Sequence, residues 1–229
     1  MKIKDTKLGR KDGAYTRLLG NEELGALISR VHSASISSGV ELEKLILAKS
    51  DLFLVQTAEE MESLLLNGEK FDKKTYLIPK KIVKKSKFKS EHEPDYLILK
   101  KATKTLYITE LKDGDTFDTK KSAGEAESLR KFKNHISENV PYKTLILVCC
   151  FNQTSKEKIL QGFKNKIKPN EAFTGLEFCE LIGIDYQAII KERKTHDQKE
   201  NIRFFCEELL KIEECRKIIE GILANKNAK

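Results

Sequence analysis

The sequence is most informative between residues 94 and 112, which read Pro94-Asp-Tyr-Leu-Ile-Leu-Lys-Lys-Ala-Thr-Lys-Thr-Leu-Tyr-Ile-Thr-Glu-Leu-Lys112. Two runs rich in apolar and β-branched residues, 95–99 and 105–111, flank a short basic turn at 100–104. Strand-forming residues on both sides of a short polar connection predict a β-hairpin. We therefore expect these residues to form two neighbouring antiparallel strands.

Helices and further strands are predicted on both sides of this hairpin. Apolar residues at helical spacing or in short runs indicate the elements. The predicted helices are 21–32, 40–48, 58–66, 122–138, 154–163, 174–181, 185–191 and 198–223, and the further strands are 74–78 and 143–151. Residues 51–55 fit either a short strand or a continued helix. This order predicts an α/β fold with a mixed β-sheet flanked by helices and a helical C-terminal extension.

Two details of the predicted helices bear on the site. The segment Ser33-Ala-Ser-Ile-Ser-Ser-Gly39 is expected to interrupt the first helical region, because serine and glycine favour caps and breaks. Ser122 and Glu125 have the spacing of a capping box, which predicts the start of the helix that follows the hairpin. In this interpretation Glu125 is a structural partner of the cap.

The composition excludes several classes of protein. The chain has 229 residues and five cysteines, an odd number without a C-x-x-C motif, so neither a disulfide framework nor a zinc cluster is expected. The motifs H-E-x-x-H and G-x-x-x-x-G-K-[ST] are absent. The apolar runs are too short to cross a membrane, and the first residues lack the apolar centre of a signal peptide. We expect a cytoplasmic protein without a membrane partner.

Positive charge dominates the chain and is concentrated in one segment. The formal net charge is +8, and residues 80–89 contain six lysines and no acidic residue. A solvated run of lysines is one interpretation of this segment. Beside a site for a phosphate-bearing substrate, the same lysines would neutralise phosphate charge.

Asp95, Glu110 and Lys112 form the clearest candidate for a chemical site. Side chains alternate along a strand, so Glu110 and Lys112 lie on one face, and Asp95 begins the partner strand opposite them. Two carboxylates suit Mg²⁺, which keeps several waters and takes further ligands from a phosphate. The alternative is a surface salt bridge. The apolar residues just before Glu110 favour a site, because burying charge is costly unless the charge is paired or bound to a metal.

At these residues the sequence resembles the PD-(D/E)XK nuclease superfamily. Pro94-Asp95, a spacer and Glu110-Leu-Lys112 match the motif of that superfamily, and the order of predicted elements is similar. The segment 113–121 resembles the residues that follow the motif in type II restriction endonucleases. The resemblance covers roughly residues 22–151. It implies a single endonuclease domain over 1–229, with a restriction-endonuclease-like catalytic core at about 22–172 and a helical extension at about 173–229.

The resemblance also implies the roles of the site residues. Asp95 and Glu110 would be metal ligands for Mg²⁺, and Lys112 would be the third catalytic residue. The implied reaction is hydrolysis of a phosphodiester bond in double-stranded DNA by a type II restriction enzyme that acts as a homodimer. Ca²⁺ is expected to permit binding without cleavage.

A second motif adds a fourth candidate catalytic residue. Ser38-Gly-Val-Glu-Leu-Glu43 resembles the Gly-x-x-Leu-Glu helix motif of several restriction families, in which the glutamate reaches the metal site. On a helical wheel Glu43 falls in the apolar sector and Glu41 falls on the polar side. Glu43 is therefore the predicted catalytic residue. The alternative is an ordinary surface glutamate that pairs with Lys44.

The remaining candidates are lysines for DNA binding. Their positive charges would neutralise phosphate groups along the DNA backbone. They are Lys84, Lys85, Lys87, Lys89, Lys120 and Lys121. Two other functions also fit the sequence: a repair or recombination nuclease that recognises DNA structure, and a basic nucleic-acid-binding protein without catalysis.

Overall fold

The computed structural model describes residues 2–7, 9–49, 53–67, 72–114, 119–194 and 197–227. Contacts between residues divide the chain into two compact units. The first, called the helical unit, consists of Met1–Leu45 and Gln187–Lys229, and the second, called the sheet unit, is Ile46–Tyr186. The sheet unit therefore begins and ends later than the predicted core at 22–172. The single endonuclease domain over 1–229 stays a prediction.

The sheet unit is built on a six-stranded mixed sheet, which confirms the predicted fold class. The strands lie in the sheet in the order β1-β2-β3-β4-β5-β6. Their bounds are β1 Phe53–Leu54, β2 Thr75–Pro79, β3 Tyr96–Lys100, β4 Thr105–Lys112, β5 Lys143–Cys150 and β6 Ala172–Thr174. β2, β3 and β4 pair antiparallel, whereas β1 pairs with β2, β4 with β5 and β5 with β6 in parallel. The sequence pattern did not indicate β6.

The predicted hairpin is confirmed as the pair β3 and β4. Its register places Tyr96 opposite Thr109 and Lys100 opposite Thr105. β4 lies between β3 and β5, and Leu106 and Ile108 are completely buried. An interior strand of this kind holds its side chains in fixed positions, which suits the strand that carries Glu110 and Lys112.

Helices pack on the sheet and close its core. Their bounds within the sheet unit are α3 Ala58–Asn67, α4 Lys80–Val83, α5 Thr119–Ser137, α6 Lys156–Gly162 and α7 Gly175–Ile182. α5 packs against β4 and β5 because Ala126, Leu129, Phe132 and Ile136 recur at helical spacing and are buried. α7 has a capping box at its start, formed by Thr174 and Glu177. The predicted separation of the helices at 174–181 and 185–191 is confirmed, because α7 ends at Ile182 and is capped by Gly183.

The helical unit corrects the predicted break at residues 33–39. Its N-terminal part contains a short 3₁₀ helix, Ile3–Asp5, then α1 Ala14–Leu19 and the long helix α2 Glu22–Ala48. α2 crosses the boundary between the two units and continues through Ser33-Ala-Ser-Ile-Ser-Ser-Gly39 without a break. Buried Leu27, Ala34 and Leu42 recur along the helix. Packing of this apolar face outweighs the modest helix propensities of the serines and Gly39.

The C-terminal part of the helical unit corrects the predicted single helix at 198–223. Its helices are α8 Tyr186–Lys194, whose first residue belongs to the sheet unit, α9 Asp197–Lys211 and α10 Glu213–Asn227. The helical conformation is interrupted at Ile212, which is buried. Within this unit the side-chain oxygen of Asn201 accepts a hydrogen bond from the Ile3 backbone N–H at 2.8 Å. No helix among the described residues has both the length and the hydrophobicity that a membrane crossing requires.

Candidate active site

The open end of the hairpin brings Asp95 and Glu110 together. Tyr96 pairs with Thr109, so Asp95 and Glu110 occupy the next pair of opposed positions. The Asp95 carboxylate is fixed by β4, because its Oδ2 accepts a hydrogen bond from the Leu111 backbone N–H at 3.0 Å. Its Oδ1 lies 3.4 Å from Nζ of Lys80, the first residue of α4. The side chain of Asp95 is therefore held on both of its oxygens.

Lys112 connects the strand to the helix that covers it. Its Nζ lies 2.9 Å from Glu110 Oε1 and 2.8 Å from Glu125 Oε1. Glu110 and Lys112 are two residues apart on β4 and share a face, as the alternation of the strand predicts. Glu125 belongs to α5. One ammonium group thus binds two carboxylates that come from different elements.

Burial and neighbouring charges shift the pKa values of Glu110 and Lys112. Burial raises the pKa of Glu110, and the negative charge of Asp95 raises it further, while Lys112 opposes both effects. Burial alone would lower the pKa of Lys112, but the charges of Glu110 and Glu125 and the hydrogen bonds to them raise it overall. Lys112 is therefore firmly protonated and carries its positive charge at neutral pH.

A cavity of about 430 Å³ opens beside these side chains. It is lined by Lys80, His92, Glu93, Pro94, Glu110, Gly124, Glu125, Ser128 and Leu129. Glutamate carboxylates and the ammonium group of Lys80 thus face the same space. A cavity with convergent charged groups next to a residue of shifted pKa has the features expected of an active site.

Glu125 is the site residue whose position the sequence did not predict. α5 begins at Thr119, so Ser122 lies inside the helix rather than at its cap, and the predicted capping role of Glu125 is wrong. Glu125 lies immediately before the buried Ala126 and is turned toward Lys112. The sequence did contain a signal for this position, because Glu125 is an acidic residue at the edge of the apolar face of the helix. The spacing of Ser122 and Glu125 favoured a capping box instead.

Comparison with known proteins identifies the family of this chain. The chain is similar to HhaII, a type II restriction enzyme from Haemophilus parahaemolyticus, with 40% identity over 220 residues. The aligned region covers 93% of this chain and 96% of that enzyme. The chain belongs to the type II restriction enzymes. No family model matches the chain, and no solved structure matches it.

The donor atoms of this restriction enzyme fit a hard cation. Within the described ranges, no group of three or more His, Cys, Asp or Glu side chains is arranged to hold a metal ion. Mg²⁺ does not need such a cage, because it often binds through one or two carboxylates and retains water molecules. Asp95 and Glu110 supply two carboxylates, and each carboxylate oxygen has more than one lone pair for a ligand or a hydrogen bond.

The lysine-rich segment of the restriction enzyme folds with its lysines outward. Lys84, Lys85, Lys87 and Lys89 are exposed, whereas Ile82, Val83, Ser86 and Phe88 are buried. The buried residues attach the segment to the core and leave a row of positive charges at the surface. Lys120 and Lys121 lie in the first turn of α5, and their side chains fall outside the described part of the structure.

The fourth candidate catalytic residue of the restriction enzyme belongs to the helical unit. Glu43 lies on α2, and both Glu43 and Glu41 are half-buried. Burial alone therefore does not distinguish between the two glutamates. The catalytic role of Glu43 stays a prediction that rests on the sequence motif.

Gly124 gives a prediction about stability at the wall of the cavity. Glycine inside a helix costs about 0.5–1 kcal/mol relative to alanine, and a Cβ atom at Gly124 would meet no atom within 4 Å. Gly124→Ala is therefore expected to raise the free energy of unfolding by about that amount, as measured by urea denaturation. Gly221→Ala in α10 is the matched control, because a Cβ atom there also meets nothing. A loss of stability in Gly124→Ala alone would contradict the open geometry.

Proposed function

We propose that this restriction enzyme is a Mg²⁺-dependent endonuclease of the PD-(D/E)XK superfamily that cleaves double-stranded DNA at a specific sequence. The observation that carries this proposal is the convergence of Asp95, Glu110 and Lys112 at the open end of one hairpin, next to a cavity. The 40% identity to a protein named as a type II restriction enzyme supports DNA as the substrate.

Each residue of the proposed site has a distinct role. Asp95 and Glu110 would hold Mg²⁺ through their carboxylate oxygens. Bound Mg²⁺ supplies Lewis-acid stabilisation of phosphate charge and lowers the pKa of a coordinated water. Lys112 keeps a positive charge beside Glu110, where it can orient the attacking water or a phosphate oxygen. Lys80, which lines the same cavity, adds positive charge on the Asp95 side.

The exposed lysines of residues 84–89 are proposed to bind the DNA backbone. Replacing Lys84, Lys85, Lys87 and Lys89 with alanine is expected to weaken binding to all DNA sequences alike, because phosphate contacts carry no direct sequence information. If all four contact phosphates, the slope of log K against log salt should become shallower by about 3–4 units. Fluorescence anisotropy in Ca²⁺ at several salt concentrations measures this slope. An unchanged slope would mean that the segment faces solvent.

Glu43 is proposed as a further catalytic residue on the basis of the sequence motif. Glu43→Gln is expected to lower the single-turnover rate of cleavage by at least about 10-fold, because a charged group near the metal would be lost. Glu41→Gln is the matched control and should cleave at nearly the parent rate. DNA binding in Ca²⁺ and the circular dichroism spectrum should be normal in both variants. Equally mild effects of the two changes would assign Glu43 to the ordinary helix surface.

A homodimer is the proposed active form, and the cytoplasm is its proposed location. Two copies of one site are the simplest way to cut both strands of a duplex. Sedimentation equilibrium with and without a DNA duplex measures the mass of the complex. A monomer at concentrations that support cleavage would contradict the homodimer.

Plasmid cleavage tests the proposed function directly. Incubation with Mg²⁺ should convert a plasmid into discrete fragments, whereas exhaustive chelation should stop cleavage and Ca²⁺ should support binding alone. Full activity after chelation would overturn the Mg²⁺ requirement. Cleavage confined to branched DNA would indicate a structure-specific nuclease, and binding without cleavage in any divalent metal would indicate a non-catalytic DNA-binding protein.

A further inference from the structure

The two carboxylates around Lys112 are not equivalent. Glu110 lies on the same strand as Lys112 and is the proposed metal ligand, with 15% of its side chain exposed. Glu125 comes from α5, with 31% of its side chain exposed, and contacts the same Nζ atom at 2.8 Å. Both carboxylates line the cavity. Glu110 is thus the proposed ligand of the metal, whereas the sequence motif assigns no role to Glu125.

A lysine side chain needs external contacts to keep one position. Its four-carbon chain has several rotatable bonds, and ordering it costs conformational entropy. A single contact to a neighbour on the same strand leaves the ammonium group free to swing. A second contact from another element restricts it to the place where both carboxylates are within reach. Glu125 supplies that second contact to Lys112 from α5.

The helix that carries Glu125 is itself firmly placed. Ala126 and Leu129, one and four residues after Glu125, are buried, and α5 packs against β4 and β5. Rotation of the helix about its axis is therefore prevented by its apolar face. The Glu125 carboxylate approaches Lys112 from a rigid element, which is a requirement for precise placement of an active-site group.

A neighbouring ion pair on the same helix shows the difference between the site and the surface. Lys131 and Glu127 lie 3.0 Å apart at i,i+4 spacing, with 73% and 67% of their side chains exposed. An exposed pair of this kind contributes little and is screened by solvent. Glu125 instead contacts a lysine that is about as buried as itself, at 30% exposure. Glu127 therefore provides a matched control for Glu125.

We propose that Glu125 is a positioning residue, which holds the ammonium group of Lys112 in place beside Glu110 when that glutamate binds the divalent cation. The proposal rests on the proposed function, because it assigns Glu110 to the metal and Lys112 to the reaction. A cation held by the Glu110 carboxylate would compete with the contact between Glu110 and Lys112. The contact with Glu125 would then keep the ammonium group of Lys112 in its position.

A double-mutant cycle with Lys112 tests this role. Glu125→Gln is expected to slow single-turnover cleavage by about 10- to 100-fold at saturating DNA and Mg²⁺, because a small misplacement of a catalytic group has an effect of that size. In the Lys112→Ala background, the same change should slow cleavage by less than about 3-fold, because residues that act through one another do not add. Glu127→Gln should leave the rate unchanged in both backgrounds.

Two further measurements separate positioning from metal binding and from folding. The affinity for DNA in Ca²⁺ should be unchanged in Glu125→Gln, and the affinity for Mg²⁺ by titration calorimetry should fall only slightly, by the loss of one nearby negative charge, so that the main effect is on the rate of cleavage. Glu125→Asp keeps the charge and should recover part of the rate. The thermal unfolding midpoint of Glu125→Gln should lie close to that of Glu127→Gln. A large fall in Mg²⁺ affinity would overturn the positioning role and make Glu125 a metal ligand.

Chemical labelling gives a readout that does not depend on activity. Trace acetylation without metal, followed by mass spectrometry, measures the reactivity of each lysine at one pH. Lys112 should react several-fold faster in Glu125→Gln than in the parent, whereas Lys131 should react at the parent rate. Unchanged labelling of Lys112, or equal slowing by Glu125→Gln in both backgrounds, would overturn the proposal. If Lys112→Ala itself cleaved at the parent rate, the proposed catalytic assignment would fail, and the labelling would still decide whether Glu125 holds Lys112.

Discussion

Lys112→Ala is expected to reduce the single-turnover rate of cleavage by about 100- to 1,000-fold, which is the usual effect of losing one group that stabilises a developing oxyanion. The change removes the ammonium group that lies 2.9 Å from Glu110 and 2.8 Å from Glu125. Two carboxylates then face the cavity without their shared cation. Their repulsion favours a divalent cation in that space, so the affinity for Mg²⁺ should be maintained or increased while the rate of cleavage falls.

The measurements for this variant must separate metal binding from the reaction. Titration calorimetry gives the affinity for Mg²⁺, and rapid quenching of preformed complexes gives the rate. Lys131→Ala is the matched control, because Lys131 also pairs with a glutamate of α5 but is exposed. Cleavage by folded Lys112→Ala at close to the parent rate would remove Lys112 from the catalytic site.

Asp95→Asn and Glu110→Gln are expected to lower both the affinity for Mg²⁺ and the rate of cleavage, the rate by at least about 100-fold. Each change removes one negative charge from a site that must hold a divalent cation, while the shape of the side chain is kept. Asparagine at position 95 can still accept the hydrogen bond from the Leu111 N–H, which lies 3.0 Å from the present carboxylate. The fold should therefore be preserved, and loss of activity can be attributed to the charge.

DNA binding provides the second readout for these two variants. Loss of a negative charge near the phosphate backbone reduces repulsion, so binding without added metal should be equal to or tighter than that of the parent. The combined variant should be only slightly slower than the slower single variant, because the groups act as one unit. Independent, multiplying effects of Asp95→Asn and Glu110→Gln would contradict a shared metal site.

The hairpin and its charged residues were predictable because their determinants are local. A short turn fixes the register of two neighbouring strands, and alternation then places Glu110 and Lys112 on one face. The approach of Asp95 to this pair follows from the same register. The contact between Lys112 and Glu125 of α5 was not predictable in this way. The position of Glu125 depends on how α5 packs across β4 and β5, and that packing is a long-range property.

Longer-range packing also explains the errors in the helices. Serine and glycine at 33–39 predicted a break by propensity, yet the buried face of α2 continues past them at Ala34 and Leu42. At the C-terminal side the error has the opposite direction. The sequence predicted one helix over 198–223, whereas the structure divides it into α9 and α10 at the buried Ile212. Local pattern does not specify which neighbour a residue packs against.

The arrangement of strands has a consequence for how the chain is made. The strands lie in the sheet in the order in which they are synthesised, so each new strand joins the free edge left by the one before it. Among the described strands, none has to insert between two that are already paired. Domains fold from the N-terminus as the ribosome releases the chain, and this sheet is suited to growth in that direction. The helical unit combines Met1–Leu45 with Gln187–Lys229, so we expect its first half to wait until residues 187–229 have been synthesised and the sheet to be completed before it.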